Sequence, residues 1–342
     1  MEDFTRKLIT EWRLLDLPFE AKNIIIAVSG GADSCALALG LARLRDRNKL
    51  RNRFFVAHFN HRLRERESDI DAAFAEKFAR EHDFEFILGK SEETVPAKGN
   101  LEQNARGARY QFLIETAIRK NCMAILTAHT KNDQAETILL NLIRGSGIEG
   151  LAGMKPVRKL EEQEFGVIQA VDHKVFLVRP MLSWALREDT VEFAEQNGVV
   201  FQEDAMNHDL SFNRVRVRKE LIPILKGYNP KIIETLSSTA RLLSQDAESL
   251  RRLTEKTDLS VKELRLCDLK LQKEADLQRL LRAWLGEMRG DLKGIDHKHI
   301  DAIVSLINSR KSGSLCELPG GDKVEKTNGK LIFVGLEVEK RF

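Results

Sequence analysis

Residues 29–34 read Ser-Gly-Gly-Ala-Asp-Ser, set between an apolar run of β-branched type at residues 24–28 and an apolar run that starts at Cys35. A glycine pair lets backbone amides approach a ligand with no Cβ in the way, and the start of a helix turns unpaired N–H groups toward the same spot. Such a loop is an anion cradle, and a phosphate group suits it. A Walker A loop would carry a Lys after its last glycine to reach the β- and γ-phosphates, but Asp33 and Ser34 stand there. A dinucleotide fingerprint needs G-x-G-x-x-G, and Gly30-Gly31 lacks that spacing. A tight strand-to-helix turn capped by Ser or Asp would use the same six residues, so the loop alone leaves both readings open.

Three further groups carry titratable or cationic side chains at suggestive spacing. His58, Asn60, His61 and Arg64 follow an apolar run; Glu102, Arg106 and Arg109 stand at i, i+4 and i+7; His129, Asp133 and Glu136 follow another apolar run. Imidazoles and carboxylates suit proton transfer or cation binding, and arginines suit phosphate. Each group has a plainer alternative. Asp133 and Glu136 are three apart, as an N-cap and its capping-box partner would be. The arginine and glutamate trio matches surface ion pairs on a helix, and the histidines match rim residues bonded to backbone.

The elements that must position these groups alternate between strand and helix. Residues 24–28, 53–61, 84–90 and 123–129 read as strands. Ala36, Leu37, Ala38, Leu39 and Leu41 begin a mostly apolar helix, and apolar periodicity predicts helices over 68–84 with Ile70, Phe74 and Phe78 on one face, over 100–120 with Asn100 as N-cap and Gln103 at the capping-box position, and over 132–144. That rhythm implies an α/β fold with a doubly wound, mainly parallel sheet, whose ligands sit outside the carboxyl ends of the strands. All three polar groups that follow strands then fall along one sheet edge. From about residue 226 the pattern is almost wholly helical, and it closes on Gly320-Gly321 and Asn328-Gly329, both hairpin signals. The expected division is residues 1–212, a basic linker helix over 213–230, and a smaller, mainly helical domain with a terminal hairpin over 231–342.

Composition narrows the function classes. The 342 residues are 42% hydrophobic and 31% charged, as in a soluble globular protein, and no apolar run reaches the length of a membrane span. The first residues mix charge with apolar side chains at helical spacing, unlike a secretory signal. Cys35, Cys122, Cys267 and Cys316 are scattered with no C-x-x-C, which argues against a disulfide framework, a zinc site or a cluster and points to a reducing cytoplasm. Net charge is only +3, but residues 40–66 hold nine Lys/Arg against two Asp/Glu and residues 213–231 hold six against one. Local basic patches of this kind suit a polyanionic partner, or simply solvated helix faces.

Taken together, the motifs resemble a known family. Ser-Gly-Gly-Ala-Asp-Ser resembles the PP-loop of N-type ATP pyrophosphatases, a Rossmann-like ATPase fold. The companion motifs at residues 58–64, 102–113 and 127–154, with Arg-Pro-Met-Leu at 179–182 and Glu-Asp-Ala-Met-Asn at 203–207, are similar to those of tRNA(Ile)-lysidine synthetases. The resemblance runs over about residues 22–225 and more weakly through the Leu-Pro-Gly-Gly hairpin. It implies a short form without the extra C-terminal domain of longer members, and it leaves a homodimer open. The family's Arg-Asn-Arg-Ile-Arg is here Arg214-Val215-Arg216-Val217-Arg218, so any polar contact of that asparagine is lost.

What the resemblance implies is specific. ATP adenylates the 2-carbonyl oxygen of the wobble cytidine in the CAU anticodon of tRNA(Ile), and free L-lysine then displaces AMP, so that the tRNA reads AUA instead of AUG. By matched position, Ser29, Gly30, Gly31, Ala32, Asp33, Ser34 and His58 hold ATP, Asp33 holds magnesium, and Asp33, Arg109 and Asp133 are catalytic. His61, Arg64, Glu102, Arg106, His129, Asp133 and Glu136 are assigned to lysine and the reacting base, with Asp133 binding the amine or acting as base. Arg214, Arg216, Arg218 and Lys219 would grip tRNA on a surface apart from the nucleotide. The rival readings are a PP-loop tRNA thiolase, disfavoured by the unpaired cysteines; a PP-loop amidotransferase-type synthetase, for which no glutaminase nucleophile motif is visible; and a non-catalytic RNA-binding protein on a degenerate nucleotide fold.

Overall fold

The β-branched run that precedes the loop forms the centre of a six-stranded sheet in a computed structural model of the chain, in the strand order β3-β2-β1-β4-β6-β5. The structure describes residues 2–62, 65–91, 101–160, 174–202, 209–254, 258–292 and 294–335, with 21, 65–67, 101–103 and 251–254 described as backbone only. In chain order the elements are α1 (Asp3–Leu14), β1 (Glu20–Ala27), α2 (Ala32–Asp46), β2 (Arg51–Asn60), α3 (Glu65–Glu81), β3 (Glu85–Lys90) and α4 (Leu101–Arg119). They continue with β4 (Cys122–Leu126), α5 (Lys131–Ile143), α6 (Ile148–Leu151), β5 (Val157–Lys159), β6 (Phe176–Val178) and α7 (Arg187–Gln196).

Side-chain alternation makes the sheet two-faced, and both faces are apolar, as helices on both sides require. Ile24, Ile26, Phe54, Val56, Ala124 and Leu126 pack on the side of α1, α2, α3 and α7. Ile25, Phe55, Ala57, Cys122 and Ile125 pack on the other side, against Tyr110, Leu113, Ile114 and Ala117 of α4. β1 pairs in parallel with both β2 and β4, so the chain reverses its direction of travel across the sheet there, and a crevice opens beyond the carboxyl ends of those strands. Among the described strands of this sheet only β5 runs antiparallel, as a three-residue edge on β6. In α3 the buried face is Ala72, Ala75, Phe78 and Ala79, with Phe74 packed beside them. The expected partner Ile70 is 56% exposed instead, because alanines let that helix sit close to the sheet one turn later. Asn100, the expected cap of α4, lies outside the described residues.

A continuous helical run follows: α8 (Asn213–Arg216), a π-helical turn (Val217–Leu221) and α9 (Ile222–Tyr228). Val217, Ile222 and Leu225, together with Ile232, Ile233 and Leu236 of α10 (Ile232–Thr254), close over Ala135 and Leu139 of α5. This apolar seam fixes the run against α5. The chain divides into two units, Met1–Ser244 and Gln245–Phe342.

The second unit contains β7 (Glu263–Arg265), α11 (Leu266–Lys270), α12 (Glu274–Arg289), α13 (His297–Asn308), β8 (Ser314–Glu317), β9 (Lys323–Thr327) and β10 (Lys330–Val334). Its core gathers around fully buried Trp284, whose indole N–H donates to the Val261 carbonyl at 2.8 Å. Both hairpin signals fall between strands: Gly320 and Gly321 have φ +90° and +91°, Asn328 and Gly329 have +47° and +74°. They build a four-stranded antiparallel sheet, β7-β10-β9-β8, of which the sequence had indicated only the hairpin.

Candidate active site

The loop between β1 and α2 is shaped by its own side chains. Gly30 has φ +93°, a left-handed conformation that favours glycine, and its carbonyl accepts from the Gln202 N–H at 3.0 Å. Ser34 Oγ accepts from the Ser29 N–H at 3.1 Å and donates to the Gly31 carbonyl at 2.9 Å. Among the described residues no side chain caps the amino terminus of α2, a 15-residue helix, so its first-turn amides stay available to an anion. The loop is therefore more than a capped turn. His58 ends β2 nearly buried, with Nδ1 at 2.9 Å from the Val28 carbonyl; Nδ1 carries the proton there, and burial lowers the imidazole pKa, so the ring is neutral.

Asp33, in the first turn of α2, is held by the neighbouring helix α7 on the same side of the sheet. Thr190 donates its hydroxyl to Asp33 Oδ1, and Arg187 Nη2 lies 3.4 Å from Oδ2. Burial raises the Asp33 pKa, and Arg187 and Thr190 oppose that rise. Both partners come from α7, whose start is fixed to α5: the Arg187 N–H donates to Asn132 Oδ1 at 2.9 Å and the Lys131 N–H to the Ala185 carbonyl at 2.9 Å. Sequence reading missed both residues. The signal available was their place just after β6, a strand of the same sheet.

The start of α5 carries the second half of the site. Thr130, not Asp133, is the N-cap, and Asp133 is its capping-box partner, accepting from the Thr130 N–H at 2.9 Å. The remaining oxygen, Asp133 Oδ1, accepts from Arg214 Nη2 at 2.9 Å. Burial works against ionisation of Asp133, but the Arg214 guanidinium and the Thr130 amide outweigh it and hold its pKa down to about 2. Glu136, one turn on and fully buried, accepts from Arg214 Nε at 2.7 Å and from Arg218 Nε at 2.6 Å. Beside them His129 Nδ1 meets Thr127 Oγ1 at 2.9 Å, and burial pushes its pKa down to about 3, leaving a neutral ring. The cap and the charge cluster thus coexist.

Arg109 completes this side from α4. Its guanidinium lies 5.6 Å from the Tyr110 ring centroid, that of Arg106 lies 5.0 Å from it, and burial together with Arg106 and Arg214 lowers the Arg109 pKa. Buried Arg179, after β6, donates to the Lys155 carbonyl at 2.6 Å. Arginines crowd this side of the crevice, as a polyphosphate or a nucleic acid would require.

One expectation needs correcting. Arg214 and Arg218 do not form a basic face remote from the nucleotide side, because a buried carboxylate such as Glu136 demands a charged partner and these two guanidiniums supply it. Arg216 and Lys219, off that face, are exposed, with Arg216 3.3 Å from Glu220. Val215 is buried in place of the family's asparagine. His61 stacks edge-on to Phe59 at 4.8 Å. Arg64, the Glu102 side chain and residues 203–207 lie outside the described residues.

The sequence matches the PP-loop domain family over residues 4–225. It is 33% identical over 322 residues to a tRNA(Ile)-lysidine synthase of Geobacter sulfurreducens, covering 91% of this chain and 64% of the relative. To that of Salinispora arenicola it is 32% identical over 329 residues, covering 94% of this chain and 93% of the relative. The chain belongs to the tRNA(Ile)-lysidine synthase branch of the PP-loop family. Family members differ in length, and this chain spans less than two thirds of the Geobacter sulfurreducens, Solibacter usitatus and Dehalococcoides mccartyi relatives. A solved U34-tRNA thiolase from Methanococcus maripaludis shares the PP-loop fold at a TM-score of 0.55 and 17% identity, over 70% of this chain and 78% of that one. Among the described residues no helix is long and apolar enough to cross a membrane.

Proposed function

We propose that the protein ligates free L-lysine to C2 of the wobble cytidine in tRNA(Ile) with a CAU anticodon, converting ATP to AMP and pyrophosphate. The observation that carries this reading is one crevice holding both an uncapped phosphate loop and a buried carboxylate pair, in a chain of this family. The cytidine O2 attacks the α-phosphorus of ATP and pyrophosphate leaves. A lysine amine then attacks C2, the C2–O2 bond breaks, AMP departs with that oxygen, and the amine loses a proton.

Ser29–Ser34 would seat the phosphates on the α2 amides, with the neutral His58 ring beside them offering Nε2 as an acceptor. Arg109 would neutralise charge growing on the α-phosphate, and Arg187, 3.4 Å from Asp33, would extend that field toward the pyrophosphate. Asp33 would hold magnesium. It offers one carboxylate with a side chain 22% exposed, which fits a metal that takes few protein oxygens and completes its shell with phosphate and water. Bound with ATP, magnesium supplies charge neutralisation. Asp133 would bind the lysine ammonium rather than take its proton, because a carboxylate held near pKa 2 is a weak base. Arg216 and Lys219, on the exposed side of the helical run, would contact tRNA phosphates.

Thiolation is disfavoured by the thiols themselves: burial pushes both Cys35 and Cys122 up to about 12, far from a thiolate at neutral pH. The testing experiment follows ATP labelled on its α-phosphate. AMP should form only when lysine and the tRNA are both present, or transiently as an RNA adenylate with tRNA alone. Formation of ADP and phosphate would refute the reading.

A further inference from the structure

The carboxylate that the proposed lysine site needs is occupied by the protein's own cation. Arg214 bridges the two acids through different nitrogens, Nη2 to Asp133 Oδ1 at 2.9 Å and Nε to Glu136 Oε2 at 2.7 Å. The two acids differ in what else they have. Glu136 also receives Arg218 on both oxygens, at 2.6 and 3.1 Å. Asp133 has the Thr130 cap on Oδ2 and only Arg214 on Oδ1 among the described residues.

Withdrawal of Arg214 would therefore leave Glu136 neutralised by Arg218 and expose one oxygen of the Asp133 carboxylate with no direct hydrogen-bonded cation on it among the described residues. One primary ammonium needs that and no more. Arg214 is also placed to leave: its side chain is 25% exposed, and it sits in the first turn of α8, whose N-cap Phe212 makes no side-chain cap bond. Arg218 lies one turn deeper, in the π-helical segment tied to the apolar seam on α5.

We propose that Arg214 is a built-in competitor for the amine substrate, whose guanidinium fills the ammonium position on Asp133 until lysine displaces it. The competition sets lysine affinity and selectivity: a cation enters only if it bonds Asp133 better than the resident guanidinium does. This rests on the lysine-ligation reading above, since it takes Asp133 as the ammonium's partner. The displaced arginine would meet an anion, the substrate α-carboxylate or a phosphate.

The test is calorimetric titration of free L-lysine into the intact protein and into Arg214→Gln, with a nonhydrolysable ATP analogue present. Removing the competitor should tighten lysine binding by roughly tenfold to hundredfold, the range of one charge-assisted hydrogen bond. Equal or weaker binding in Arg214→Gln, with wild type still binding lysine, overturns the competitor and leaves the ligation reading standing. If neither protein binds lysine, the ligation reading fails and takes this one with it. Should Arg214→Gln not fold, the wild-type arginine Nη–H spectrum decides, since Nη2 is the nitrogen on Asp133, with the Arg214 signal identified from Arg214→Lys. That protected signal should vanish as lysine saturates, and its persistence at saturation refutes displacement.

Discussion

Asp133→Asn isolates the charge at the start of α5 while keeping shape and most of the cap, because an amide oxygen can still accept from the Thr130 N–H at 2.9 Å. The native carboxyl has its pKa lowered from 3.8 to about 2. A group depressed in the folded state adds stability above its unfolded pKa and loses it as pH falls through the folded one. The charge-assisted bond from Arg214 to this carboxylate, 12% exposed, is worth about 2–3 kcal/mol at neutral pH. Chemical denaturation of the intact protein at pH 7 should therefore show the variant weaker by about 2–3 kcal/mol in the transition of the first unit. Repeated at stepwise lower pH, the two stability curves should run parallel down to about pH 5 and converge toward pH 2. A gap that stays constant on acidification would mean that the loss comes from packing or the cap, and the electrostatic account of Asp133 would be wrong.

Other perturbations separate the remaining roles. Thr190→Val removes the hydroxyl that holds Asp33, and adenylate formation should slow by roughly tenfold to hundredfold with the lysine KM unchanged; an unaltered rate would remove Thr190 from the site. Lys326 is buried, and its ammonium caps the carbonyls of Leu306 at 3.1 Å, Ile307 at 3.0 Å and Ser309 at the end of α13. Lys326→Met should lower the opening free energy of α13 by about 1–3 kcal/mol in hydrogen exchange, and unchanged protection there would contradict the cap. Asn52 is buried in β2 with neither amide atom hydrogen-bonded among the described residues, so Asn52→Val should raise stability by about 1 kcal/mol, and a loss would reveal an unrecognised partner.

The strand–loop–helix around Ser29–Ser34 was legible because β-branched residues, a glycine pair and an apolar helix each signal locally and agree. The gathering of polar groups at the strand ends was legible too, since a parallel sheet puts all such ends on one edge. What stayed hidden was pairing across the chain. Arg187 and Thr190 lie 154 and 157 residues from Asp33, and Arg214 lies 81 from Asp133. A run of arginines reads the same in sequence whether it faces solvent or a buried acid. Only the apolar seam of Val217, Ile222 and Leu225 on α5 decides that Arg214 and Arg218 turn inward. Short edges such as β5 and β7, three residues each, carry too few side chains to show an alternation.

The central claim is a new carbon–nitrogen bond between lysine and one base, so the most direct measurement is transfer of labelled L-lysine to RNA. The intact protein, ATP and magnesium are incubated with a tRNA(Ile) transcript bearing CAU and with a copy whose wobble base is uridine. The account predicts acid-stable label in the first RNA alone, released on nuclease digestion as a single modified nucleoside. Label absent from both RNAs, or equal in the two, would contradict it.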